Sequence, residues 1–345
     1  MYFFLLPAKS WWEVQKSDDP RVFARQKVQH GKGVCDMIGL GALIRRNTKL
    51  YFKDKGMFIT SLITPLILLV LYGTFLSNVY EDSFRSALEA AGASVPDKLI
   101  GGCVGGELVS SLLAVSCVTV AFCSNLMMVQ DKITGARRDL TIAPVRAGTL
   151  ALSYYLATLL STLLICFAAA GVCLGYLAYV GWYLTAGDVA ALFLDIVLLV
   201  LFGTALSSCI NYPLSTNGQA SAVGTIISAG YGFICGAYMP ISQFSEGLQK
   251  VISFLPGTYG TSLLRNHSLR GVFEEMTAQG FPNEVVEAVR DSVDCNLYFF
   301  GDKVSISAMY LVLAAAIVVF VGLYVLMNVL SGSRKTHRKK RPVSN

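Results

Sequence analysis

The chain has 345 residues, 54% of them hydrophobic and 14% charged, with a formal net charge of +6. Average soluble domains carry roughly 25% charged residues, so a water-soluble globule built from this chain would lack the polar side chains to cover its surface. Several apolar runs reach the ~20 residues that a helix needs to cross a hydrocarbon core of ~30 Å. Together these facts exclude an ordinary soluble domain and predict an all-α polytopic membrane protein.

In chain order, residues 1–36 are polar and of mixed charge, with Pro20 and Gly31 as breakers and no sustained period. They read as a polar, disordered extension, and Met37 reads more naturally as a start. Over 37–56, Ile38, Leu40, Leu43, Ile44, Leu50 and Phe52 interleave with Arg45, Arg46, Lys49, Lys53 and Lys55. An apolar stripe opposite a basic face predicts a helix lying in the membrane interface. Six apolar runs follow, at 57–76, 104–128, 150–179, 189–210, 220–239 and 304–330. They predict one six-span domain over 57–331, its third and sixth spans long enough to tilt, and a basic tail over 332–345.

Placing the N-terminus inside puts 21 of the 28 Lys and Arg on cytoplasmic segments, and seven on exterior ones. This positive-inside bias predicts a plasma-membrane protein with both termini in the cytoplasm. The tail RKTHRKKR beside the last span then meets anionic lipid headgroups rather than nucleic acid. Six of the nine cysteines fall inside spans as small apolar residues. Cys103 and Cys295 fall on the exterior side, where topology alone leaves a bridge open.

Catalytic patterns are missing. There is no G-x-x-x-x-G-K-[ST] phosphate loop, no H-E-x-x-H, no C-x-x-C pair and no G-x-S-x-G elbow, and the three histidines are far apart in sequence. The chain is therefore read as a non-enzyme that binds no cofactor or metal of its own. Ionisable groups at membrane depth are costly and mark function. Asp195, within LFLDIVLLVLF, has no Lys or Arg in another span to pair with, so it is protonated, bonded to hydroxyls, or facing a water path. Asp195 and Asn125 are the candidate residues of a translocation path, and Glu107 is placed at the interface. The hydroxyls of span two, from Ser110 to Ser124, and the glycines of span five, Gly224 to Gly236, read as helix-packing surfaces.

The loop QDKITGARRDLTIAPVRAG between spans two and three is the most distinctive polar segment. Together with the interfacial helix, the six-span plan and the later segment YMPISQFSEGLQKVISFLPGTYGTSLLR, it resembles the permease subunits of type-2 ABC transporters of the exporter class. The resemblance covers about residues 37–331. It implies that Asp131, Gly135, Arg137, Arg138, Asp139, Leu140 and Pro144 form a loop coupled to a cytoplasmic ABC ATPase, with Leu140, Ile142 and Pro144 packing there. It also implies a second permease copy, as homo- or heterodimer, and an outer gate at Pro240, Pro256, Tyr259 and Arg265 on short re-entrant helices between spans five and six. ATP and Mg would sit on the partner subunit. The cargo implied is amphiphilic: a drug, a peptide or a lipid-like compound. A lipid-linked polysaccharide exporter and a channel or scaffold needing no ATPase are the alternatives.

Overall fold

The computed structural model describes residues 39–72, 74, 77, 78, 81, 85, 96–142 and 145–338. The extension 1–36, most of the loop after the first apolar run, Pro144 and the tail beyond 338 lie outside the described residues. The elements are α1 (Gly39–Lys53), α2 (Lys55–Leu71), α3 (Asp97–Ile133), α4 (Ala136–Ile142), α5 (Ala147–Val180), α6 (Ala186–Asn211), α7 (Asn217–Ile234), α8 (Glu246–Ile252), α9 (Pro256–Ala278), α10 (Asn283–Ser292) and α11 (Ile306–Arg338). A two-strand hairpin, β1 (Tyr298–Phe299) and β2 (Asp302–Lys303), precedes α11.

Local chemistry sets the helix starts. Asp54 breaks the chain between α1 and α2, which meet at 73°, and its carboxylate accepts the Met57 N–H at 3.1 Å. Thr185 and Asp188 form a reciprocal capping box at the start of α6: the Asp188 N–H donates to the threonine hydroxyl at 3.2 Å, and the Thr185 N–H donates to the carboxylate at 3.0 Å. Pro256 sits in the first turn of α9, where its missing N–H costs nothing.

Helix α3 is the hub, buried along nearly its whole length and packed against α2, α5, α6, α7 and α9. Its glycines allow the close approach. A side chain at Gly102 would meet the Tyr183 ring, and one at Gly106 would meet Leu269 and the Ser268 carbonyl. The span-two hydroxyls are buried and bond their own helix: Ser116 donates to the Leu112 carbonyl at 2.6 Å and Thr119 to that of Val115 at 2.9 Å. By contrast, α11 leaves Leu311, Val318, Val319 and Leu326 exposed. Apolar surface on that scale belongs against lipid.

Among the described residues, four helices are long and apolar enough to cross a membrane: α3, α5, α6 and α11. The α1–α2 pair brings the number to five if it is one bent span. The chain is thus a mostly helical, multi-pass membrane protein, with fewer qualifying helices among the described residues than the six runs read from the sequence. The reason is local. Helix α2 has only 17 residues and contains Pro65, and α7 has 18 that include Asn217, Gln219, Ser221, Thr225 and Ser228.

Helix α9 fixes the end opposite α4. A side chain at Gly260 would collide with Leu199, near the middle of α6, and one at Gly271 would collide with the Tyr183 carbonyl in the α5–α6 turn. The helix therefore runs from halfway down the bundle to its far end.

Candidate functional site

The hairpin between α3 and α5 is built around one residue of unusual conformation. Gly135 has φ of +85°, the left-handed region that a side chain resists. It turns the chain from α3 into α4, and its carbonyl accepts the Arg138 N–H at 2.7 Å. Helical spacing then splits α4 into two faces. Arg138, Asp139, Thr141 and Ile142 are exposed, the last at 78%. Leu140 turns the other way and packs with Leu43, Met128, Leu150 and Tyr154 of this same chain. Leu140, expected to pack toward a partner, thus packs within this chain, and of Leu140 and Ile142 it is Ile142 that is exposed. Arg137 is also engaged internally, its guanidinium 5.6 Å from the centre of the Tyr212 ring. Pro144 lies outside the described residues.

Behind the hairpin, Asp131 is buried and holds three elements together. Arg46 of α1 approaches it through both guanidinium nitrogens, at 2.6 and 3.1 Å, and the Tyr154 hydroxyl of α5 donates to it at 2.6 Å. Such a bidentate, charge-assisted contact fixes orientation as well as distance. Next to it, Lys132 donates to the Tyr212 carbonyl and, at 2.9 Å, to that of Leu214, which ties the hairpin to the α6–α7 turn. The hairpin is thus fastened to α1, α5 and α6 while one face of α4 remains open.

Farther along the bundle, Asn125 links three helices. Its amide donates to Thr158 at 3.3 Å and Ser208 at 3.1 Å, and its carbonyl accepts from Asn211 at 3.3 Å. Asp195, fully buried, shares a hydrogen bond with His267 Nδ1 at 2.6 Å and accepts the Tyr310 hydroxyl at 2.7 Å. Hydroxyl bonding, one of the environments open to Asp195 in the sequence, is present, joined by an imidazole from α9. Asn125 and Asp195 lie in separate clusters and are not brought together.

The far end is organised by Arg265 of α9. It is 1% exposed and pairs with Glu107 of α3 at 2.8 Å and with Asp294 at 3.1 Å. It also donates to the Gly236 carbonyl at 2.6 Å and to Ser111 at 3.2 Å. Glu107, read at the interface in the sequence, is buried inside the bundle, where α9 brings a cation to it. Asp294 accepts the Ile241 N–H at 2.7 Å, and burial pushes its carboxyl above the ordinary range while Arg265 pulls it back. The Tyr259 hydroxyl donates to the Ser253 carbonyl at 2.6 Å, and Pro240 precedes the short turn Ile241–Gln243. Pro240, Pro256, Tyr259 and Arg265 therefore belong to one connected region. Cys103 and Cys295 are both buried free thiols.

Arg46, Tyr154, Glu107, Asp294, His267 and Tyr310 complete these clusters and were not singled out as partners in the sequence. The available signal was charge balance: a buried Asp or Glu on an apolar helix demands a cation or donors, and α9 carries both Arg265 and His267 two residues apart.

A family model described as ABC-2 type transporter matches residues 39–267, which includes both the hairpin and Arg265. No curated protein matches the chain.

Proposed function

Because the chain belongs to the ABC-2 type transporter family, we propose that it is the permease subunit of an ATP-driven exporter that moves amphiphilic compounds across the cytoplasmic membrane. In this reading the chain has six spans, with α2 and α7 as the two short ones, and both termini lie in the cytoplasm. The open face of α4 seats in a groove of a separate ABC ATPase that holds ATP and Mg. Helices α8 and α9 form the re-entrant outer segment. A second permease copy completes the path, and Gly224 and Gly230 of α7 have open space around them for it.

The observation that carries the reading is the fastening of the hairpin. A push on Arg138, Asp139 or Ile142 passes through Asp131 to α1 and α5, and through Lys132 to the α6–α7 turn. Closure of an ATPase pair would then tilt several helices as bodies, a nucleotide-biased two-state switch. Charge reversal at Arg137 and Arg138 tests it in a reconstituted complex. ATP-driven export and cargo-stimulated hydrolysis are expected to fall to background while membrane insertion holds. Wild-type export in that variant would overturn the coupling role, and cargo movement by the purified chain alone would favour a channel.

A further inference from the structure

Between α8, the start of α9 and the β1–β2 hairpin lies a cavity of about 640 Å³, whose lining includes Glu246, Lys250, Tyr259, Asp291, Tyr298 and Phe300. It is large enough for the polar part of a small ligand. Its lining is chemically mixed. Lys250 is the lone cation there among the described residues, against the carboxylates of Glu246, Asp291 and Asp294, the last already paired with Arg265. Asn296 and the Tyr298 hydroxyl donate to the same oxygen of Asp291, Oδ1, at 2.7 and 3.0 Å, so Oδ2 remains available as an acceptor.

An exposed apolar patch borders the cavity. Val251, Phe254 and Phe300 are 60%, 62% and 65% exposed. The rings of Phe254, Phe299 and Phe300 meet edge to face at 4.8–5.9 Å. Phe300 and Gly301 form the tip of the hairpin with φ of +51° and +98°. Such tips favour Asn, Asp or Gly at the first position, and a phenylalanine there costs about 1 kcal/mol. Burial within the chain does not offset that cost, since the ring stands in the open. The patch also continues onto the exposed end of α7. The Thr258 hydroxyl contacts the carbonyls of Ile234 at 3.4 Å and Ile252 at 3.2 Å, joining the end of α8 to the end of α7, where Phe233 and Ile234 are exposed.

We propose that this region binds a membrane lipid with a primary-amine zwitterionic headgroup, drawn from the leaflet at the end opposite the hairpin. The ammonium is held by Glu246 and Asp291 beside the aromatic walls, the phosphate meets Lys250, and one acyl chain lies along Val251 and Phe254. The site depends on the membrane placement of this end and not on the direction of transport, so a failed export assay leaves it standing. The test is native mass spectrometry of the full chain released from micelles containing equal amounts of phosphatidylethanolamine, phosphatidylcholine and phosphatidylglycerol. Phosphatidylethanolamine is expected to be retained over the other two by about tenfold, in line with one charge-assisted hydrogen bond. Glu246→Gln with Lys250→Gln should bring the three lipids level. Phe300→Gly, which suits the positive φ, should lower retention while the unfolding temperature holds or rises. Equal retention by the wild type, preference for phosphatidylglycerol, or unchanged preference in the double variant would overturn the proposal.

Discussion

Two arginine–carboxylate clusters sit at opposite ends of the bundle, and their surroundings differ more than their chemistry. At the hairpin end, the Arg46 side chain is 29% exposed while Asp131 is 6% exposed. At the far end, Arg265 and Glu107 are each 1% exposed and Asp294 is 5% exposed. The first cluster is a clasp with one open side, where part of the Arg46 side chain is exposed. The second is sealed, and its charges have nowhere else to go. On the proposed function, a permease moved from the hairpin end would use this asymmetry: an adjustable joint where force arrives and a fixed frame at the opposite mouth.

The strongest way to break the comparison is at the sealed end. Arg265→Ala strands two carboxylates in the bundle, and losing one partner of a buried pair typically costs 3–5 kcal/mol. The expected result is a chain that unfolds far below the wild type in detergent, or fails to accumulate; a drop no larger than that of a surface mutation would show that the cluster is not a frame. The clasp should respond less in stability and more in coupling. Asp131→Asn keeps the shape and removes the charge, so a loss of about 1–3 kcal/mol is expected. ATPase activity should persist in the assembled complex while export falls; coupled export at the wild-type ratio would show that the clasp transmits nothing. The smallest effect lies on the far-end surface. Glu287 has its carboxyl held below the ordinary range by Lys303 at 2.8 Å, with Asn296 and Arg290 assisting. A depressed carboxyl contributes stability above the unfolded value of about 4.3, and that contribution is lost as pH falls through the folded value. With both side chains about half exposed, Glu287→Gln should change neutral-pH stability by only a few tenths of a kcal/mol, and it should flatten the acid limb of the unfolding curve.

The long apolar helices were legible because twenty or more residues with at most one charge admit few other readings. The polar hairpin was legible as a unit from its breakers and charges. The facing of its residues was not: Leu140 and Ile142 are two apart in sequence, and a seven-residue helix gives too little period to say which turns inward. The short helices were harder for a related reason. Segment 240–302 mixes apolar and acidic residues, so its first part read as short re-entrant helices, whereas α9 is one helix of 23 residues that enters the bundle with Arg265 and His267. Pairing across the fold is not written in spacing. Glu107 and Arg265 are 158 positions apart in the chain, and no local pattern links them.

The seclusion of α3 has a bearing on thiol chemistry. Cys103 and Cys117 on that helix are 2% and 0% exposed, and Cys123 is the half-buried one. Alkylating reagents that enter the bilayer should therefore leave the first two untouched in the folded chain. Modification of either would report that the central helix had come away from its neighbours, so the native residues already supply a probe of that event without engineering.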